Sequence, residues 1–247
     1  MRATFRFYAE LNDFLPPERR FRTFDHEFLL TASVKDLIES LGVPHTEVDL
    51  ILVRGDPVDF SYRVTDGDNV SVYPVFESFD ISSEARLRPE PLRETRFVLD
   101  AHLGQLARYL RLLGFDTVYR NDWSDVVLAD ISYGEKRVLL SRDAGVLKRR
   151  SVTHGYFVRE TEPREQLLEV LRRFDLFGSI EPFRRCLTCN GVLEPVDKEA
   201  IAHELEPDTR RYYDRFRRCA SCGQLFWEGS HYRRMERFVA EIRRAAG

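Results

Sequence analysis

The sequence predicts an α/β protein: a parallel sheet with helices on both faces, preceded by a small α+β unit and followed by a cysteine-bound metal module. Three observations carry this reading. From residue 96 onward, short apolar runs alternate with amphipathic stretches, the pattern of strand–helix units in a parallel sheet. Before residue 80, strand-like segments flank a single helix instead. After residue 181, four cysteines stand in two CxxC pairs, Cys186/Cys189 and Cys219/Cys222.

Composition sets the bounds. At 247 residues with 43% hydrophobic content, the chain holds one large domain or two to three small ones with real cores. No stretch approaches transmembrane length, and the start, Met1-Arg2-Ala3-Thr4-Phe5-Arg6-Phe7, lacks the apolar region of a signal peptide. The expectation is a cytoplasmic protein with no membrane partner. The net charge of -3 conceals an asymmetry: residues 1–82 carry 8 basic and 15 acidic side chains, and residues 83–247 carry 30 and 26. Lysine occurs only at positions 35, 136, 148 and 198. Arginine forks suit phosphates, although a compositional bias toward arginine accounts for the excess equally well.

Taken in order, Ala3-Thr4-Phe5-Arg6-Phe7-Tyr8 alternates as a half-buried strand. Residues 20–24 and Phe28-Leu29 suggest a second strand in a hairpin. A helix over 34–41 follows, with Ser33 as N-cap and Gly42 as stop. Residues 49–53 form a strand, Arg54-Gly55-Asp56 a turn, and 69–74 a closing strand after Asp66-Gly67-Asp68. This ββαββ order resembles the β-grasp of ubiquitin-like proteins, and the helix and the turn at 66–70 resemble its sulfur-carrier branch. Sulfur carriers end in an exposed Gly-Gly; here the chain runs on through Val75-Phe76-Glu77-Ser78-Phe79-Asp80. Without that terminus, carrier chemistry is disfavoured. A docking or regulatory module with a protein partner, or a structural domain, is expected over 1–80. Residues 81–95 are polar and proline-bearing, a linker.

Phe97-Val98-Leu99-Asp100 then reads as a buried strand delivering a carboxylate to the sheet edge. Leu103, Leu106, Ala107, Leu110 and Leu113 recur at helical spacing, and Gly114 stops that helix. A strand is expected at 115–119 and a helix from Ser124 to Gly134. Arg137-Val138-Leu139-Leu140-Ser141 is another buried strand, ending in Arg142-Asp143. A short helix at 144–148, a strand at 156–158 and a helix at 163–174 complete the unit. Ligands collect at the carboxyl ends of strands in open α/β sheets. Asp100 and Asp143 stand at such ends, and Asp125 lies in the first turn of the helix after the second strand. If the strands are parallel, all three share one edge. Each has an alternative role as a helix cap or dipole partner. Clustered carboxylates repel by on the order of several kcal/mol unless a cation lies among them, and hard oxygens suit Mg²⁺ or Mn²⁺. Arg142 and Arg108 are candidate phosphate contacts. His102 is expected on the exposed side of the helix start. It also excludes a haloacid dehalogenase-type phosphatase, which needs a second aspartate there.

The run Leu-Ala-Arg-Tyr-Leu-Arg-Leu-Leu-Gly at 106–114, Phe115-Asp116-Thr117, Asp125 and Leu139-Leu140-Ser141-Arg142-Asp143 resemble the mut-seven C-terminal RNase family, PIN-like proteins with a zinc ribbon. The likeness continues through Arg185-Cys186-Leu187-Thr188-Cys189-Asn190 and Cys219-Ala220-Ser221-Cys222-Gly223, then Trp227-Glu228-Gly229-Ser230-His231. It spans about 96–240, and bacterial members often carry a ubiquitin-like domain in front. The resemblance implies a PIN-like domain over 96–180 and metal-dependent ribonuclease activity through acids 100, 125 and 143, with RNA as partner. PIN domains usually have a fourth acid; position 145, where related proteins can carry one, is Gly145.

In 181–247, two CxxC knuckles supply four thiolates for one structural zinc. The 29 residues between Cys189 and Cys219 leave room for an inserted helical excursion over 194–211, and a helix closes the chain. Trp227, Tyr232 and His231 beside Arg233, Arg234 and Arg237 offer base stacking or backbone contacts, but the favoured expectation has Trp227 packing on the ribbon. The expected function is therefore divalent-metal-dependent RNA hydrolysis with Mg or Mn at the aspartates. The alternative is a non-catalytic RNA-binding or regulatory protein that keeps the fold.

Overall fold

The computed structural model describes residues 1–29, 31–74 and 94–245; residues 75–80 and most of the expected linker lie outside them. The N-terminal part is a five-stranded sheet carrying one helix. Strand β1 (Arg2–Phe7) alternates exposed and buried positions, so Ala3, Phe5 and Phe7 enter the core. Strand β2 (Phe24–Glu27) pairs with it antiparallel. Helix α1 (Val34–Ser40) begins where Ser33 Oγ accepts a hydrogen bond from the Asp36 amide at 3.1 Å, the cap expected from the sequence. Strands β3 (Val48–Val53) and β4 (Asp56–Val58) form a hairpin. Its two central residues, Arg54 and Gly55, have φ of 54° and 96°. Positive φ at both matches a turn whose twist suits a two-residue hairpin, which lengthens the expected turn into an extra strand. Strand β5 (Asn69–Pro74) lies parallel to β1 and antiparallel to β3, giving the order β2-β1-β5-β3-β4. The core under α1 holds Phe5, Phe7, Ile38, Ile51, Val70 and Val72.

Beyond residue 94 the elements alternate as expected. Strand β6 (Phe97–Leu99) is buried throughout, and a 3-10 turn at Ala101–Leu103 leads into α2 (Gly104–Leu112). Gly114 ends this helix with φ of 99°, and a Cβ there would lie 2.1 Å from the Glu181 carbonyl oxygen. Only glycine meets both demands. Strand β7 (Thr117–Tyr119) pairs parallel with β6. Helix α3 (Asp125–Glu135) runs through Gly134 and stops at Lys136, whose φ is 50°. The helix thus ends one residue beyond the expected Gly134, and the Arg137 amide, bonding Ser132 O at 2.9 Å, closes it. Strand β8 (Val138–Ser141) is wholly buried, α4 (Ala144–Leu147) is one turn, and β9 (Gly155–Phe157) pairs parallel with β8. Helix α5 (Pro163–Arg173) follows with proline in its first turn. The α/β class is the one expected, with parallel strands joined by helices.

The chain divides into two compact units, Met1–Glu94 with Trp123–Phe157, and Thr95–Asp122 with Val158–Gly247. Within the first, the N-terminal module covers β9. Glu47, buried, accepts the Phe157 amide at 2.7 Å, and His45 places Nε2 3.0 Å from Val152 O and Nδ1 2.6 Å from the Glu39 carboxylate. Lys148 Nζ donates to Glu39 O at 2.9 Å, and the Phe14 and Phe157 rings meet edge-on at 5.0 Å.

The second unit continues into β10 (Leu193–Val196), α6 (Lys198–Ile201), α7 (Pro207–Tyr212), β11 (Phe216–Cys219), β12 (Leu225–Trp227) and α8 (Ser230–Arg244). Strands β10, β11 and β12 form an antiparallel sheet in that order. The expected helical excursion is corrected at its start: Leu193–Val196 pairs with β11, and two short helices occupy the remainder. No helix among the described residues is long and apolar enough to cross a membrane.

Candidate functional site

Asp100 directly follows the apolar β6 and is 8% exposed. Its Oδ1 accepts the Ala101 amide at 2.6 Å, so it caps the 3-10 turn ahead of α2. Asp143 repeats the arrangement after β8: its Oδ1 accepts the Gly145 amide at 2.7 Å and starts α4. Its own amide donates to the buried Ser141 Oγ at 2.8 Å, which fixes the strand-to-helix bend. Gly145 therefore contributes a backbone donor to Asp143. Asp125 opens α3, about half exposed, with Arg149 Nη2 3.9 Å from its carboxylate. Arg142 lies half-buried between β8 and Asp143, while Arg108 and His102 are exposed. Asp125, Arg142 and Asp143 belong to the first unit, and Asp100, His102 and Arg108 to the second.

The four cysteines come together. Their Sγ atoms all lie within 4.8 Å of one another, with Cys186–Cys222 at 3.8 Å and Cys189–Cys219 at 3.4 Å. A tetrahedral ion at a Zn–S length of ~2.3 Å sets its sulfurs about 3.8 Å apart, so the spacing fits zinc. The separations are far from the ~2.05 Å of a disulfide. Gly191 donates to Cys189 Sγ at 3.4 Å and the Cys222 amide to Cys219 Sγ at 3.5 Å, contacts that favour thiolates. A Cβ on Gly191 would come 2.7 Å from Cys219 Sγ, so the knuckle requires glycine there. Burial pushes the Cys189 thiol up to about 12, and nearby cysteines add to this. Burial also opposes ionisation of Cys219, but the Cys222 and Ser221 amides outweigh it and bring that thiol down to about 7. One thiol is thus ready to ionise beside others that resist it, a set that a cation would relieve.

Arg111 fixes the first knuckle. It is 5% exposed and donates from Nε to Thr117 O at 2.8 Å and from Nη1 to the Leu187 and Thr188 carbonyls at 3.2 and 3.0 Å. Burial lowers its pKa, while the charge of Cys186, Cys189 and Asp116 opposes that shift. Asn190, with φ of 71°, accepts the Thr117 amide at 2.9 Å and donates to Asp116 Oδ1 at 2.8 Å. Neither role is apparent from sequence motifs. The available signal was an asparagine directly after a CxxC, a residue that tolerates left-handed backbone. Trp227, on the edge strand β12, is 40% exposed, so it is only partly covered. Phe226 packs against Cys186, Leu193 and Cys219.

Residues 95–239 match the family model described as Mut7-C RNAse domain, and residues 1–80 match the one described as Mut7-C ubiquitin. No curated protein matches the chain. Among solved structures, the crystal structure of SAMP1 from Haloferax volcanii is 15% identical, covering 32% of this chain and 100% of that one with a TM-score of 0.26.

Proposed function

Because the chain belongs to the Mut7-C RNAse domain family, we propose that it is a divalent-metal-dependent ribonuclease whose catalytic acids are Asp100, Asp125 and Asp143. The observation that carries the proposal is the repeated motif at β6 and β8: a fully buried apolar strand ends in an aspartate, or in Arg-Asp, whose carboxylate oxygen holds the amide of the next helical turn. Each carboxylate is held by a rigid strand at the end where α/β sheets bind ligands. The three carboxylates offer hard oxygens, the donor chemistry that Mg²⁺ or Mn²⁺ requires. When bound, such an ion polarises a phosphoryl oxygen and lowers the pKa of a water.

The chain's own residues do the rest. Asp100, Asp125 and Asp143 would supply the ion's ligands in this proposal, and the amide bonds at Asp100 and Asp143 restrain the carboxylates of those two. Arg142 and Arg108 bind phosphate oxygens of the RNA backbone through charge-assisted hydrogen bonds. The cysteine quartet would take zinc as a structural ion, its four thiolates supplying a full tetrahedral set. RNA cleavage with Mg²⁺ or Mn²⁺ tests the proposal. Asp100→Asn and Asp143→Asn are expected to lower the rate at least about 100-fold, the scale at which loss of a positioned charged group acts. Cleavage by these variants at the wild-type rate, or none by the wild type, refutes it.

A further inference from the structure

A concave feature of the second unit lies on the cysteine module. A cleft of about 470 Å³ is walled by the rings of Phe183, Phe226, Trp227 and Tyr232 and bordered by Arg185 and Arg217. A second hollow of about 490 Å³ shares Phe226, Trp227, Tyr232 and Met235 with it and continues past Tyr212 and His231. Each volume falls in the range of pockets that hold small aromatic ligands. One ridge of rings thus stands between two hollows that follow one another.

Structural packing does not account for this arrangement. Phe226 packs against Cys186, Leu193 and Cys219, yet Trp227 leaves 40% of its surface exposed and Tyr212 leaves 65%. Phe183 and Tyr232 stack at 4.4 Å with ring planes 30° apart, which braces the ridge from one side. The charge around it is arranged as well. The cleft's two acids, Asp214 and Glu228, are paired with Lys198 at 2.7 Å and Arg215 at 3.6 Å. Arg185 is steadied by Asp116 at 3.6 Å, and Arg217 gives one of its donors to Phe183 O at 3.1 Å. A guanidinium carries five donors in a plane that matches phosphate. Exposed Arg233, Arg234 and Arg237 follow on α8.

We propose that these two hollows form a track for single-stranded RNA, in which consecutive unpaired bases enter on either side of the Trp227–Tyr232 ridge while Arg185 and Arg217 meet the intervening phosphates. Flat rings beside arginines bind unpaired strands through stacking and charge, and duplex RNA, whose bases are already stacked, has no face to offer them. The track rests on the ribonuclease reading for its ligand and gives that reading a substrate class: RNA with an unpaired segment.

The chain has two tryptophans, so Trp123→Phe leaves Trp227 as the sole indole reporter. Titration of that variant with a 12-nucleotide oligouridylate, without added Mg²⁺ or Mn²⁺, is expected to quench Trp227 emission. An abasic phosphodiester 12-mer is expected to leave emission unchanged. By anisotropy of labelled oligouridylate, Trp227→Ala is expected to bind about tenfold more weakly, and Trp227→Phe, which keeps a stacking face, within about threefold of wild type. Unquenched emission, equal affinity for the abasic strand, or an unaltered affinity in Trp227→Ala overturns the track and leaves the cleft to an apolar peptide or other partner. Cleavage by the wild type is scored separately. RNA that is cleaved without quenching overturns the track alone, and RNA that quenches without ever being cleaved overturns the nuclease reading alone.

Discussion

At the scale of single residues, the N-terminal module depends on a carboxylate that takes no part in chemistry. Asp68 is 1% exposed, and its Oδ2 accepts from the Thr65 amide at 2.8 Å, Thr65 Oγ1 at 3.0 Å and Tyr62 OH at 3.1 Å. Its Oδ1 faces Arg54 at 2.9 Å. Burial alone pushes its pKa up, but these donors and the Arg54 charge outweigh burial and hold it below the usual carboxylate range. A carboxylate depressed in the folded state contributes stability above its unfolded pKa of about 3.9, and that contribution is lost as pH falls through the folded value. Asp68→Ala is therefore expected to cost about 3 kcal/mol at pH 7, read by denaturant unfolding. The gap to wild type is expected to close as the pH drops below about 4, where wild type loses the same contacts. A gap as large at low pH as at pH 7, with no narrowing as acid is added below about pH 4, would show that the ionised form is not what matters. The sequence offered Asp66-Gly67-Asp68 only as a turn. Which of its two acids is buried depends on Thr65 and Tyr62 closing around one of them.

At the scale of elements, the cysteine module shows how a segment with few apolar residues holds its shape. Its buried cluster contains Cys186, Leu193 and Cys219, with Phe226 packed against it, too little for an independent core. The Arg111 and Asn190 bonds to the α2–β7 region supply part of what the core lacks, and a metal ion on the four thiolates would supply more. Cys186→Ser is expected to remove about one zinc per chain, measured by metal analysis of purified protein, and to lower the melting temperature. Acidification is expected to release the metal, because protons compete for the thiolates. Retention of full zinc stoichiometry in Cys186→Ser would exclude the tetrathiolate site. The paired CxxC spacing was legible because two thiolates two residues apart can meet one ion only through a tight turn. The strand character of β10 was not, since its pairing to β11 bridges 19 intervening residues, and no local pattern encodes a partner that distant.

At the scale of the whole molecule, the first unit joins the ubiquitin-like module to residues 123–157. A strand edge left open invites pairing with other chains, and Glu47 and His45 cover part of β9 with side chains instead. The module therefore has a structural task within its own chain. Glu47→Ala removes the acceptor of the Phe157 amide and is expected to cost about 2 kcal/mol and to raise aggregation on heating, followed by scattering during a thermal melt. Wild-type melting and scattering in that variant would reduce the contact to a surface detail. A protein partner for the module, suggested by its ubiquitin-like fold, has to bind a face other than this one.

The sequence by itself determined the class of most elements and much of the chemistry on offer. The Ser33 cap, the Gly114 stop, the apolar runs that end at Asp100 and Asp143 and the cysteine pairs all act through neighbours within a few residues, so local sequence encodes them. Tertiary structure alone decided what those pieces face. The exposure of Trp227 follows from β12 being an edge strand, the burial of Arg111 from knuckle carbonyls 76 and 77 residues away, and the covering of β9 from Glu47, 110 residues upstream. Hydrogen-bond partners so far apart in the chain are chosen by the packing of whole elements. A three-residue strand such as β12 carries too little periodicity to say which of its side chains that packing leaves in water.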